Sequence, residues 1–207
     1  MRKTVAVFLL ILTASVVFGQ SRPDALVEFR QGNYQRAVQI CLNEIAENPN
    51  NLDSYVVICW SLISLGRFDE AMRYGLTAQR IARYDARVIQ ILGEVHYYLG
   101  RNNEALRYFQ EYINVAPEGP RIDRVYYFIG EIYIRMGRFR HADIALSTAV
   151  HRTPRNAEWW TRLGFARENA GDTIHAITAY ERALQLNSQL TDARGGLDRL
   201  RQSLGGR

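Results

Sequence analysis

The stretch YYFIGEIYIRMGRFRHADIALSTAVHRTP, residues 126–154, decides the fold. Its large apolar residues recur at helical spacing on both sides of Gly137, so it reads as two amphipathic helices with a turn between them. Glycine in that turn supplies the left-handed backbone that ends a helix without a Cβ clash. Pro154 closes the unit, because proline cannot continue a helical hydrogen-bond ladder.

Working outward, the same layout returns in WWTRLGFARENAGDTIHAITAYERALQLN at 159–187 and in VIQILGEVHYYLGRNNEALRYFQEYINVAP at 88–117. A weaker copy, YVVICWSLISLGRFDEAMRYGLTAQRIAR, occupies 55–83, with Gly75 where an aromatic is usual and Arg83 in place of the closing proline. Turn glycines at Gly32, Gly66, Gly100, Gly137 and Gly171 are separated by 34, 34, 37 and 34 residues. Five residues after each stands an alanine, at Ala37, Ala71, Ala105, Ala142 and Ala176. Seven before each stands a small residue: Ala25, Cys59, Gly93, Gly130 or Gly164. Small side chains in both helices of a unit predict a crossing where the two axes approach closely. The period of 34 with these columns is the signature of a repeat array.

The motif resembles the tetratricopeptide repeat, whose W-x2-L-G-x2-Y…A-x3-F…P pattern is matched best at 126–154 and 159–187. That resemblance implies an all-α fold, a right-handed superhelical solenoid of helix-turn-helix repeats. Five repeats are expected at 20–51, 52–85, 86–122, 123–156 and 157–190, with three extra residues around Glu118, Gly119 and Pro120. A capping helix and tail follow at 191–207, with Ala193, Leu197, Leu200 and Leu204 on one face to cover the open end.

Residues 1–19 have the layout of a secretory signal peptide: Arg2 and Lys3, then an apolar run from Val5 to Phe18, then Val17 and Gly19 as small residues before a cut ahead of Gln20. The run is short for a membrane span, which needs roughly 20 apolar residues, and no cysteine stands near the cut. A periplasmic or secreted location in the bacterial envelope is therefore expected, with a retained N-terminal anchor as the alternative. Of 26 Lys and Arg, two lie in this leader, which leaves 24 cations against 21 Asp and Glu. So small an excess does not argue for nucleic acid. Cys41 and Cys59 fall on apolar helix faces, although an oxidising compartment would permit a bridge.

The four histidines show no metal-ligand spacing, the glycines are absorbed by the repeat, and Glu94, Glu131 and Glu168 sit on separate repeats without a nucleophile. No catalytic residue, metal or cofactor is expected, and the chain reads as a binding protein rather than an enzyme. In stacked helix pairs the concave surface is lined mainly by first helices. Its candidate partner-binding residues are Trp60, Arg87, Glu94, Tyr97, Tyr98, Arg124, Tyr127, Glu131 and Phe165, with Trp60, Tyr97, Tyr127 and Phe165 as anchors. The lysine, arginine and asparagine positions by which some family members clamp a carboxyl terminus hold Glu94, Glu131, Tyr127 and Thr161 here. The expected partner is a protein or peptide of basic or amphipathic character, with the membrane involved only indirectly. Two further readings are a carrier of a small hydrophobic ligand or lipid, pocketed by the groove aromatics, and a homo-oligomeric scaffold.

Overall fold

Five residues in the left-handed region set the architecture of the computed structural model, which describes residues 24–205. Gly32, Gly66, Gly100, Gly137 and Gly171 have φ between 68° and 83°, and no other described residue has positive φ. Around each, two hydrogen bonds close the same turn. In the third, Gly100 N–H donates to Tyr97 O at 3.1 Å and Arg101 N–H to His96 O at 2.9 Å, the double reversal that satisfies the last carbonyls of a helix. The expected leader at 1–19 lies outside the described residues.

These turns join α1 (Ala25–Arg30) to α2 (Tyr34–Glu47), α3 (Leu52–Ser64) to α4 (Phe68–Ile81), α5 (Ala86–Tyr98) to α6 (Asn102–Val115), α7 (Ile122–Arg135) to α8 (Phe139–Arg152), and α9 (Ala157–Asn169) to α10 (Thr173–Leu186). A final helix, α11, spans Thr191–Gly205. Side chains start four of the five first helices: Asp24, Asn51, Asp85 and Asn156 each accept from backbone N–H groups of the opening turn, satisfying donors the helix leaves free. The exception is α7, whose preceding residue is Arg121 at the end of the three-residue insertion.

Within a unit the two helices cross where the small column of the first meets the residue sixteen places later on the second. A Cβ on Gly93 would fall 2.6 Å from Phe109, one on Gly130 2.5 Å from Leu146, and one on Gly164 2.6 Å from Tyr180. Phe109, Leu146 and Tyr180 are buried, each filling the space its glycine leaves. The second unit inverts the arrangement. Cys59, fully buried, supplies the bulk from α3, and Gly75 of α4 supplies none. Leu92 of the next unit then approaches Gly75, so the missing aromatic is replaced from the neighbouring repeat. Both cysteines are free thiols. Burial, with the charge of Glu44, pushes the Cys41 thiol up to about 12, and burial pushes the Cys59 thiol up as well. Neither is therefore a thiolate nucleophile at neutral pH.

The capping helix packs Ala193, Leu197 and Leu200 against the last unit. Gly196 lets it approach the far side of the Tyr180 ring, so that ring is held between Gly164 and Gly196. Leu204 departs from the expected apolar face and is 51% exposed, because the helix has run past the partners that bury its first turns.

The crossing makes a differential prediction. Gly93→Ala pushes a methyl into a rigid ring and should cost about 1–3 kcal/mol of unfolding free energy. Gly75→Ala meets only the movable end of Leu92, and the helix-propensity gain of up to about 1 kcal/mol offsets the contact. Urea denaturation of both variants checks the difference.

Candidate functional site

Successive first helices approach closely along the whole array, α1 to α3, α3 to α5, α5 to α7, α7 to α9, and α9 to α11, whereas the backbones of successive second helices stay further apart. The first helices therefore form the inner, concave row and the second helices fan outward.

Along that inner row runs a ladder of ion pairs, each linking one first helix to the next. Arg87 of α5 reaches Asp53 of α3 at 2.7 Å and is also held by Asp85 at 2.8 Å. Arg124 of α7 places Nε 2.8 Å from Oε1 of Glu94 on α5, and Gln90 donates to the same carboxylate. Arg162 of α9 grips Glu131 of α7 with two parallel bonds of 2.6 and 2.9 Å. Arg199 of α11 grips Glu168 of α9 in the same way, at 3.0 Å twice, while Tyr180 donates its hydroxyl to that carboxylate at 2.6 Å. Two-pronged pairing of this kind fixes orientation as well as distance.

In the rungs at Glu94, Glu131 and Glu168 the carboxylate lies deep and the guanidinium shallow, whereas Asp53 is exposed and Arg87 is the more buried partner. Glu94 is 2% and Glu131 8% exposed, so neither presents its charge to a ligand as expected; each is sealed beneath the arginine of the next repeat. Burial raises the Glu94 carboxyl despite the nearby Arg124 and Arg121. Glu168 behaves oppositely: burial opposes ionisation, but hydrogen bonds from Arg199 and Tyr180 prevail and hold it below the ordinary range.

The aromatic candidates divide. Tyr97 is 8% exposed, lies 4.8 Å from the Phe128 ring, and carries the Arg135 guanidinium 3.7 Å above its face. It is inter-repeat packing rather than a groove anchor, because α7 closes over it. Tyr98, its neighbour, is 40% exposed and stacks on Phe68 at 4.8 Å. Trp60 is half-buried beside Phe29, with the Arg121 guanidinium 5.0 Å over its ring. Tyr127, half-buried, stacks on Trp159 at 4.9 Å, and burial with the Glu131 charge raises its phenol. Phe165, also half-buried, lies edge-on to Phe139 with the Arg162 guanidinium 5.2 Å from its centroid. Tyr127 and Arg162 share a cleft of about 310 Å³ with Glu158, Thr161, Gln189 and Leu190.

The tetratricopeptide repeat model matches residues 86–118 and 127–191. The chain carries tetratricopeptide repeats. A curated relative, the BBSome complex member BBS4 homolog of Drosophila melanogaster, is 27% identical over 147 residues, which is 65% of this chain and 29% of the relative. The chain thus spans less than a third of that protein's length. Among solved structures, the APC/C hetero-tetramer Cut9–Hcn1 superposes with a TM-score of 0.77 at 17% identity, over 85% of this chain and 35% of the other. YrrB, described as a TPR protein with an unusual peptide-binding site, superposes with a TM-score of 0.65 at 15% identity, over 83% and 87%.

Several ladder members escaped a reading based on repeat columns. Arg162 and Arg199 were not among the groove candidates, although each stands 31 residues after its carboxylate, and Arg124 stands 30 after Glu94. The 34-residue period less one helical turn relates Glu131 to Arg162 and Glu168 to Arg199, and the 37-residue unit less two turns relates Glu94 to Arg124, so a search for Glu followed by Arg at 30 or 31 would have found three rungs. Arg121 is likewise placed by the insertion rather than by the repeat.

The two carboxyl shifts give opposite pH signatures. Glu168, lowered in the fold, contributes stability that is present above its unfolded pKa and is lost as pH falls through the folded value. Glu94, raised in the fold, contributes stability present below its unfolded pKa and lost as pH rises through the folded value. Between acid and neutral pH, the stability of Glu168→Gln should therefore climb less steeply than that of the parent, and Glu94→Gln more steeply. Urea midpoints measured across the carboxylate range check both slopes.

Proposed function

We propose that this chain is a protein-interaction scaffold of the bacterial cell envelope that seats an extended protein or peptide segment along its concave row of first helices. One observation carries the reading: the row is continuous across the repeats and offers half-exposed rings beside half-exposed guanidiniums whose counter-charges lie underneath. The side chains of Arg124 and Arg162 are 42% and 34% exposed, against 3% and 10% for Glu94 and Glu131. An approaching segment meets donors first. Trp60, Tyr98, Tyr127 and Phe165 take its apolar side chains, and the free N–H groups of Arg87, Arg124 and Arg162 take its acceptors, backbone carbonyls and carboxylates.

This order changes the expected chemistry of the partner. Glu94 and Glu131 suggest a basic segment when read as exposed carboxylates; held under arginine, they act within the scaffold, and an amphipathic segment rich in acceptors fits the surface better. The carrier reading needs an enclosed chamber beside Tyr97, Tyr127 and Phe165. Here Tyr97 is packed away, and the cleft at Tyr127 is bordered by Glu158, Thr161, Arg162 and Gln189 rather than by apolar walls. The envelope assignment rests on the leader pattern at 1–19. Assembly membership in the BBSome relative and in the APC/C structure, and peptide binding by YrrB, agree with a scaffold role.

Cross-linking capture from envelope extract tests the reading. The wild-type chain should recover a discrete partner, and Tyr127→Ala, assayed below a urea midpoint lowered by the lost Trp159 stacking, should bind it more weakly by more than about 1 kcal/mol. Arg162→Glu should abolish capture. Full recovery by both variants would remove the groove from consideration. N-terminal sequencing of the exported protein should begin at Gln20, and recovery of the protein in the cytoplasmic fraction with its leader intact would contradict the location.

A further inference from the structure

Because successive second helices diverge, the outer face has open clefts between them, and one is chemically unlike the rest. Between α4 and α6 lies a cleft of about 560 Å³ bounded by Gln79, Arg80 and Arg83 on one side and Arg107, Tyr108 and Glu111 on the other. Further along, the cleft between α8 and α10 is lined by Arg140, Asp143, Ile144 and Asp172. Both of its carboxylates are engaged, Asp143 with Arg167 at 2.8 Å and Asp172 with His175 at 2.8 Å. No such compensation occurs between α4 and α6.

Among the described residues, Arg80, Arg83 and Arg107 make no ion pair. Neutral contacts orient all three instead: Arg80 donates to the Thr77 hydroxyl at 2.9 Å, Arg83 lies 5.7 Å from the Tyr84 ring centroid, and Arg107 lies 5.4 Å from that of Tyr108. Three guanidiniums thus share a cleft whose one carboxylate, Glu111, pairs with none of them. Tyr108 is buried, and its hydroxyl lies 3.5 Å from Gln79 Oε1. Stacked on Tyr108 at 5.3 Å is His96, 9% exposed, whose buried Nδ1 has no hydrogen-bond partner.

The rim has a different character. Leu76, Arg80 and Tyr84 follow one another at four-residue steps, as do Arg107, Glu111 and Val115. Leu76 of α4 and Val115 of α6 are 43% and 41% exposed, each one helical turn from a cleft residue, and Tyr84, just past the end of α4, is 70% exposed.

We infer that the α4–α6 cleft is a binding site for a phosphate-bearing group, presented either by a lipid headgroup or by a soluble phosphate ester. Phosphate fits better than a single carboxylate because it has oxygens enough for several guanidinium forks and a charge that can offset more than one of them. The apolar rim suits the organic part of such a ligand, whichever source supplies it. This site is on the face opposite the concave row and does not depend on the peptide reading.

The test compares wild type with Arg83→Glu/Arg107→Glu, both positions exposed, and with Arg140→Glu as a control on the other cleft. One arm titrates inorganic phosphate against chloride at equal ionic strength and reads binding by calorimetry and the shift in Tm. The other arm measures sedimentation with phosphatidylcholine vesicles, with and without phosphatidic acid. Phosphate-specific binding that falls at least about tenfold in the double variant, as expected when charge-assisted bonds are reversed, supports the site, and Arg140→Glu should bind as wild type. Binding confined to phosphatidic acid vesicles and lost in the double variant supports the site with a lipid source; binding to phosphate without vesicle retention supports it with a soluble source. Equal effects of chloride and phosphate with no vesicle binding, or equal binding by the double variant, overturn it.

Discussion

Everything in this molecule depends on how closely the two helices of a unit can cross. That distance is set by subtraction: a residue without a side chain on the first helix admits one large residue from the second. Gly93 with Phe109, Gly130 with Leu146 and Gly164 with Tyr180 are three solutions of the same steric equation. Cys59 with Gly75 solves it with the roles exchanged. Dense packing tolerates little change in volume at such a point, which ties the angle within each unit to two positions.

Stacking then converts a local crossing into a surface. Once first helices lie closer to one another than second helices do, the inner row brings side chains from four repeats and the cap into one line. The ion-pair ladder uses this line structurally. Each rung joins adjacent first helices, and in three of the four, those of Glu94, Glu131 and Glu168, the carboxylate is the member taken out of water. Removing charge from solvent is unfavourable unless partners compensate; at Glu168 the Arg199 fork and the Tyr180 hydroxyl do so, whereas at Glu94 burial outweighs Arg124 and Gln90. In those three rungs the arginine faces outward and the acid acts as an internal strut.

Much of the fold was legible in the sequence because it depends on residue size and backbone conformation at a fixed period. The five turn glycines, the alanine column and the small column could be read directly; the glycines make the turns, the small column admits the crossing residue, and every column alanine is fully buried. The groove was legible only in part. Tyr97 and Tyr98 are adjacent and chemically identical, yet α7 buries the first and leaves the second at the surface; that choice depends on the rotation between repeats, which no single-repeat pattern encodes. Glu94 and Glu131 share a column with Trp60 and Phe165, so column logic treats them as ligand-facing. Their burial is decided by arginines about thirty residues away, off the repeat period. Arg121 owes its place over Trp60 to an insertion, the one feature that breaks the period.

Hydrogen exchange of the partner-bound protein is the most direct measurement of the central claim, that function resides on the row of first helices. The account predicts added protection in α3, α5, α7 and α9, extending across at least two neighbouring repeats, with α4, α6, α8 and α10 unchanged by that partner. Protection confined to the second helices would contradict it.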